Sequence, residues 1–372
     1  MLPVRPETGP FLSTMRKKFK ILSIDGGGVR GLIPCKLLAS LERRLQAEHG
    51  EDARLADYFD LICGTSTGSI LAIGLSLGMS AEEMLNFYEN RGTDIFPTDR
   101  QSWTRKFSNW MMTHSFYERY QLKKILKEVY GRFTPDGDTR LGHAHTRLII
   151  PAYNGETGQL HLFRTAHAAH LPDAGQVPAL AVALSSAAAP LFFRPYNFTY
   201  APKGSTERIV FRKMIDGGIV ANNPAFIGLC EAVRDLHIPL HNIALLSLGT
   251  GNVDYQLKPD LHQMAPHFWT SPISEEVMSL INSITAVQSK DAHEKVLMLQ
   301  SGLENGGSPR FDYLRIQHRF SKEKFIELDD ASRESVLRML IIAHQLYEEH
   351  GEKIYHTFLR EPATPFVPIY VP

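Results

Sequence analysis

The stretch FKILSIDGGGVRG, residues 19–31, joins an apolar run to three consecutive glycines. A short apolar run bounded by glycines is typical of a buried β-strand. In the following segment, residues 31–50, four leucines recur with helical spacing and a glycine stands at the end, which predicts an amphipathic helix. The stretch therefore predicts a strand, a glycine turn and a helix in succession.

The same order recurs in residues 58–78, where the apolar run YFDLIC precedes the turn GTSTG and the small-residue segment SILAIGLSLG. Repeated strand–turn–helix units are typical of α/β proteins with a parallel sheet. Further strand and helix patterns follow, without an internal repeat or a linker. We therefore predict a three-layer α/β fold, in which helices flank a mostly parallel central sheet.

Composition and charge exclude several classes of function. The 40 Lys and Arg residues balance the 40 Asp and Glu residues, so no overall field favours a nucleic-acid polymer as partner. Cys35, Cys63 and Cys230 lack metal-type spacing, which favours reduced thiols in a cytoplasmic protein without a metal. The sequence shows neither a run of about 18 apolar residues nor an apolar leader, so we expect a cytoplasmic location.

The turn GTSTG has the pattern G-x-S-x-G with Ser66 at its centre. A nucleophile on a tight strand-to-helix turn needs small neighbours, which Gly64 and Gly68 supply, so that its hydroxyl projects from the edge of the sheet. The positive end of the following helix then faces the developing charge. The pattern predicts a nucleophilic serine, and the alternative is a serine that caps the helix.

A serine nucleophile needs a base to accept its proton. Asp216 ends the predicted strand of residues 207–215 and precedes two glycines, which places a carboxylate at the edge of the sheet. The alternatives are an aspartate that only caps a turn, or a histidine base. Five histidines follow in a suitable order: His237, His241, His262, His267 and His293.

The glycine loop, residues 26–31, also satisfies G-x-G-x-x-G, the pattern of a dinucleotide-binding turn. Such a site requires an acidic residue at the end of the second strand, and the serine turn stands there instead. The loop is therefore interpreted as an oxyanion hole, in which the backbone N–H groups of Gly26, Gly27 and Gly28 face the reacting oxygen. Arg30 is placed to bind a phosphate of the substrate. We expect no cofactor.

These motifs together resemble the patatin-like phospholipases. The similar blocks are DGGGVRG (25–31), GTSTG (64–68), SSAAAPLFF (185–193), DGGIVANNP (216–224), LLSLGTG (245–251) and YLRIQ (313–317). The resemblance implies a patatin-like domain over residues 17–320, and a helical C-terminal extension, residues 321–372, would pack on it. Ser69 departs from the family, which often has a second glycine there.

The resemblance also implies a mechanism. Ser66 would be the nucleophile and Asp216 the base of a dyad without histidine, the glycine loop would bind the oxyanion, and Arg30 would hold the phosphate. The expected reaction is calcium-independent hydrolysis of fatty-acyl esters of membrane phospholipids, through an acyl-enzyme.

Residues 94–117 mix aromatic and basic side chains, a combination that suits a membrane interface. Trp103, Phe107 and Trp110 are therefore predicted membrane contacts, which would bring a cytoplasmic protein to the inner membrane. A lid over the serine and an irregular segment folded into the core are the alternatives.

Three functions fit the sequence. The first is a lipid acyl hydrolase, including a constitutive lipase or esterase of broad specificity. The second is a regulated effector, because compact bacterial members of the resembled family include enzymes that cyclic dinucleotides activate in antiphage defence. The third is a non-catalytic nucleotide-binding or scaffold protein. A homodimer is compatible with the sequence.

Overall fold

The computed structural model describes residues 17–96, 115–253, 275–301 and 309–368, and within them eight strands form one sheet. The strands are β1 Phe19–Ile24, β2 Leu61–Gly64, β3 Arg147–Asn154, β4 Gln159–Arg164, β5 Tyr196–Tyr200, β6 Ile209–Asp216, β7 Ile243–Leu248 and β8 Asp312–Ile316. The α-helices of these same ranges are α1 Leu32–His49, α2 Thr67–Ser76, α3 Ala81–Ile95, α4 Tyr120–Tyr130, α5 Ala179–Ser186, α6 Gly218–Ala221, α7 Ala225–Arg234, α8 Glu275–Gln300 and α9 Arg333–Ile354.

Five strands form the parallel part of the sheet, in the order β3-β2-β1-β7-β8. Ile24 at the end of β1 lies opposite Gly64 of β2 and Leu248 of β7. The segments that follow these three strands therefore meet at one edge of the sheet. On the other side, β4 and β6 pair antiparallel with β3, and β5 pairs antiparallel with β6.

Side chains of the parallel strands alternate between two apolar cores, as the period of a strand requires. Leu22 and Ile24 of β1 face a larger core with α1, α2 and α9. Ile21 faces a smaller core with α7 and α8. Helices thus cover both faces of a mostly parallel central sheet, and the three-layer α/β fold predicted from the sequence is confirmed.

The C-terminal helix α9 packs against α1, the first helix of the chain. Met339 and Ala343 of α9 are buried in the larger core. At the rim of this contact the guanidinium of Arg44 lies 2.6 Å from the carboxylate of Glu352 and 4.1 Å above the ring of Tyr355. Since an exposed ion pair contributes little to stability, burial of the apolar face of α9 holds this helix in place.

Sequence patterns and structure differ most near the antiparallel strands. No strand is predicted from the sequence at residues 196–200, yet β5 forms there because its aromatic side chains pack on β6, with the rings of Phe198 and Phe211 stacked at 4.8 Å. The apolar pattern VPALAVALSSAAAP, residues 177–190, predicts a helix that Pro190 closes, whereas the helix of the structure ends at Ser186. It ends early because the carbonyls of Ser186 and Ala188 accept hydrogen bonds from the chain at the end of β6.

In the part of the chain that the structure describes, no helix combines the length and the apolar character needed to cross a bilayer.

Candidate active site

Ser66 stands on a tight turn between β2 and α2, with a backbone φ of 53° and ψ of −120°. This conformation is rare for a residue with a side chain and costs about 1–3 kcal/mol. The two flanking glycines allow it: a Cβ on Gly64 would lie 2.1 Å from the carbonyl oxygen of Gly68, and one on Gly68 would lie 2.4 Å from the carbonyl oxygen of Ile24. The turn therefore has the strained, tightly packed geometry that exposes a nucleophile.

A hydroxyl from another element fixes the turn. The backbone N–H of Ser66 donates to Oγ of Ser186 at 3.0 Å, and that hydroxyl donates to the carbonyl oxygen of Pro151 at 2.7 Å. Ser186 is fully buried. Sequence reasoning did not single it out, although it lies in the block SSAAAPLFF that carries part of the family resemblance.

The structure brings Ser66 and Asp216 together. The hydroxyl Oγ of Ser66 donates to Oδ2 of Asp216 at 2.6 Å, and the backbone N–H of Gly218 donates to Oδ1 at 2.6 Å. The side chain of Asp216 is almost completely buried. Both carboxylate oxygens are thus held by hydrogen bonds, and one of them faces the serine.

Asp216 reaches this position by a different path from the one that the sequence suggests. Its strand β6 is antiparallel, so it does not end where the parallel strands end. Instead β3 continues to Asn154, beyond the last residue of β2, and β6 pairs with this extension, which places Asp216 opposite Ala152. The antiparallel side of the sheet therefore delivers the carboxylate from the opposite direction.

The environment of Asp216 makes its carboxylate a stronger base. Burial raises the pKa of Asp216 to about 7, against the smaller lowering by its hydrogen bonds from Ser66 and Gly218. A pKa near neutrality suits a general base, because the carboxylate is ionised at neutral pH and still accepts a proton readily.

The glycine loop uses some of its backbone N–H groups structurally. Gly26 donates to the carbonyl oxygen of Asn222 at 3.0 Å, and Val29 donates to that of Leu328 at 2.9 Å. Among the described residues, no group accepts a hydrogen bond from the N–H of Gly27 or Gly28. The geometry therefore favours Gly27 and Gly28 as oxyanion donors, whereas the sequence suggested all three glycines.

A buried ion pair anchors the start of this loop. Arg315 of β8 donates to both carboxylate oxygens of Asp25, at 2.8 and 2.6 Å. Ser289 of α8 donates to the same carboxylate at 2.8 Å, and Arg315 also donates to the hydroxyls of Ser289 and Ser247. None of these partners was singled out from the sequence, although Arg315 lies in the block YLRIQ.

Arg30 is buried beside the loop. Its guanidinium lies 4.7 Å above the ring of Phe325, and its nitrogens are 3.4 Å from the carbonyl oxygens of Gly27 and Gly251. Arg30 also lines the cavity next to Ser66. The structure thus shows a structural role for Arg30 in the loop, and the phosphate contact stays a prediction from the sequence.

A cavity of about 110 Å³ opens next to the dyad, lined by Ser66, Asp216 and the glycine loop. Most of its remaining wall is apolar, and it includes Ile70, Phe87, Phe96, Leu122, Phe192 and Met339. A cavity of this kind suits a fatty-acyl chain, which gains free energy when its methylene groups leave water.

The histidine alternative finds no support in the described residues. His237 and His241 precede β7 and lie at the edge of the sheet opposite Ser66. Nδ1 of His293 is 2.8 Å from the hydroxyl of Tyr313 instead. His262 and His267 lie outside the described residues, as do the predicted membrane contacts Trp103, Phe107 and Trp110.

The model of the patatin-like phospholipases matches residues 22–229 of this chain, which is more than half of its length. The chain belongs to the patatin-like phospholipase family. The family resemblance predicted from the sequence motifs is therefore confirmed. This patatin-like phospholipase is a hydrolase of carboxylic esters in lipids.

Relatives match along nearly the whole chain. The cGAMP-activated phospholipase of Escherichia coli (strain TW11681) is 30% identical over 94% of this patatin-like chain and 95% of its own length. A protein of the same name from Vibrio cholerae is 29% identical over 96% and 99%. Patatin-like protein 2 of Oryza sativa subsp. indica is 29% identical over 91% and 86%.

Proposed function

We propose that this enzyme is a phospholipase A that hydrolyses fatty-acyl esters of glycerophospholipids through a dyad of Ser66 and Asp216, without calcium. The observation that carries the proposal is the 2.6 Å hydrogen bond from Ser66 to the buried carboxylate of Asp216, beside an apolar cavity. Family membership supplies the lipid ester, and the geometry supplies a nucleophile and a base.

In the first half of the reaction, Oγ of Ser66 attacks the ester carbonyl carbon while Asp216 accepts its proton. The negative charge on the carbonyl oxygen faces the N–H groups of Gly27 and Gly28. The intermediate then collapses: the bond to the glycerol oxygen breaks, and Asp216 returns the proton to that oxygen. A lysophospholipid leaves, and the fatty acyl group stays on Ser66.

In the second half, Asp216 accepts a proton from a water molecule that attacks the acyl-enzyme carbonyl. The same two backbone donors bind the second oxyanion. When the bond to Oγ breaks, Asp216 gives its proton to Ser66, and the free fatty acid leaves. Base and charge stabilisation thus both come from the protein chain.

Substitution of the dyad tests this proposal. We expect Ser66→Ala and Asp216→Asn to lower kcat by roughly 10³-fold or more, with phosphatidylcholine in mixed micelles as substrate, EDTA present, and fatty acid measured by mass spectrometry. The matched control is His241→Ala, an exposed histidine at the opposite edge of the sheet, which should keep wild-type turnover. Full activity in Asp216→Asn, or a requirement for calcium, would reject the dyad.

We also propose that a cyclic dinucleotide activates the enzyme. The support is that two relatives, similar over nearly the whole chain, are named cGAMP-activated phospholipases. With this regulation we propose a role in antiphage defence, together with the cytoplasmic location and the peripheral contact with the inner membrane predicted from the sequence.

The same lipid assay, run with and without a panel of cyclic dinucleotides, tests the regulation. Turnover that appears only with a nucleotide supports activation. Equal turnover without one identifies a constitutive lipase or esterase. Absence of turnover under every condition would favour a non-catalytic nucleotide-binding or scaffold protein.

A further inference from the structure

A loop near the C-terminus touches the glycine loop. We call residues 325–331 the C-terminal strap; they lie between β8 and α9, well beyond the family-matched residues 22–229. The carbonyl oxygen of Leu328 in the strap accepts the hydrogen bond from Val29, and a Cβ added to Gly28 would lie 2.1 Å from that oxygen. The two backbones are therefore in direct contact.

The strap contacts the glycine loop at a second point and is fixed to the body of the protein on both sides. The ring of Phe325 lies beneath the guanidinium of Arg30 at 4.7 Å. Ile326 and Ala331 are buried in the larger core. Asp330 accepts hydrogen bonds from the N–H of Ser332, at 3.1 Å, and from the hydroxyl of Ser335.

Side-chain hydrogen bonds join the strap to distant parts of the chain. Nδ2 of Asn282 in α8 donates to Oε2 of Glu327 at 3.3 Å, and a shorter bond comes from Tyr117. The hydroxyl of Tyr117 donates to Oδ2 of Asp329 at 2.6 Å. The Tyr117 side chain is held rigidly, because its ring stacks on Phe192 at 6.1 Å and its backbone N–H donates to the Phe192 carbonyl. Burial and the neighbouring carboxylate raise the pKa of Tyr117, so its hydroxyl stays a donor.

The glycine loop needs restraint from outside. Gly27 and Gly28, which line the cavity, are flanked by two fixed points: the contacts of Asp25 and Gly26 on one side, and the bond from Val29 to Leu328 on the other. Glycine is conformationally permissive, and oxyanion donors lose much of their effect when displaced by about 1 Å. The second fixed point therefore depends on the strap.

We propose that the C-terminal strap positions the oxyanion donors Gly27 and Gly28, and that the hydrogen bond between Tyr117 and Asp329 holds the strap in place. Asp329 and Tyr117 are positioning residues, which touch neither substrate nor the reacting atoms. This inference rests on the proposed function, because it assigns the strap a part in the same reaction.

A pair of tyrosine variants tests the inference. Tyr117→Phe removes one hydroxyl that donates to a carboxylate at the strap. Tyr355→Phe removes a similar hydroxyl, which donates to Glu48 at the contact of α9 with α1. We expect Tyr117→Phe to lower kcat about tenfold, part of the 10²–10³-fold loss typical of a removed oxyanion donor, with KM unchanged. Tyr355→Phe should keep wild-type kcat despite a similar fall in Tm.

The acceptor side supplies a rescue experiment. Asp329→Asn keeps an oxygen that can accept from Tyr117, so kcat should stay close to wild type. Asp329→Ala removes the acceptor and should match Tyr117→Phe. Equal kcat for Tyr117→Phe and Tyr355→Phe, or full activity in Asp329→Ala, would overturn the inference.

A measurement without turnover separates this inference from the proposed function. Amide hydrogen exchange of residues 26–30 should become faster in Tyr117→Phe and Asp329→Ala, but not in Tyr355→Phe. If the wild-type enzyme failed to hydrolyse lipid, the proposed function would fall while exchange still reported on the strap. If hydrolysis were normal and exchange unchanged in all variants, the inference alone would fall.

Discussion

The nucleophile turn and the glycine loop lie side by side, but the chain builds them in different ways. The backbone of the turn around Ser66 is shaped mainly by its own neighbours, β2, two glycines and α2, and hydrogen bonds with Ser186 and Ala221 add contacts from elsewhere. The glycine loop begins on a local strand, yet four contacts that fix it come from Asn222, Ser289, Arg315 and Leu328. Local motifs can therefore specify most of the backbone of the turn, whereas the conformation of the glycine loop needs the folded chain.

The largest effect expected from this difference is the loss of the loop anchor. Arg315→Met removes the partner of the Asp25 carboxylate, which is 1% exposed. A buried charge left unpaired destabilises a protein by about 3–5 kcal/mol, so we expect a loss of that order in the free energy of unfolding, measured by denaturant titration. Activity of the remaining folded enzyme should also fall, because the loop carries the oxyanion donors.

A second buried arginine provides the control for this variant. Arg140 pairs with Asp138 at 2.6 Å and donates to backbone carbonyls far from the glycine loop. Arg140→Met should also destabilise the protein, but its folded fraction should keep the wild-type kcat. If both variants changed kcat equally, the special dependence of the loop on distant contacts would be contradicted.

The same difference explains how much the sequence could predict. The order of strands and helices around Ser66 follows from apolar runs and glycine turns, so the parallel part of the sheet was predicted well. The use of each glycine N–H was not predictable, because the acceptors of Gly26 and Val29 lie about 200 and 300 positions away. Likewise β5 depends on pairing with β6, and the direction of β6 depends on pairing with β3, rather than on local pattern.

The two regions also differ in their dependence on pH. Asp216, the base beside the nucleophile turn, titrates near neutrality, whereas the backbone donors of the glycine loop do not titrate at all. With the pKa of Asp216 at about 7, its base form is lost below that pH. We expect kcat/KM to fall about tenfold for each pH unit below 7 and to level off above it. A flat pH profile between 5 and 8 would contradict the assignment of Asp216 as base.

The contribution of Asp216 to the free energy of unfolding should change with pH in the direction opposite to kcat/KM. The folded pKa of Asp216 lies above the ordinary value of about 3.9 for the unfolded chain, so ionisation within the fold costs stability as pH rises through 7. Asp216→Asn removes this cost. Its gain in the free energy of unfolding should be absent near pH 4, grow with pH and reach a few kcal/mol above pH 7. A gain of equal size at all pH values would point to a cause other than the buried carboxylate.

The smallest expected effect concerns Ser186, the distant residue that accepts the hydrogen bond from the backbone N–H of Ser66. Ser186→Ala leaves the N–H of Ser66 without its acceptor, and a buried group that loses its hydrogen bond costs about 1–3 kcal/mol. Part of that cost should appear as a severalfold lower rate of phosphonylation of Ser66 by a fluorophosphonate, since the turn that aims the hydroxyl would relax. Ser185→Ala is the matched control, because the neighbouring hydroxyl is equally buried but donates to Ala181 within its own helix. A rate equal to that of the control would mean that the remaining contacts of the turn, chiefly those with β2, α2 and the two glycines, hold Ser66 without the hydroxyl of Ser186.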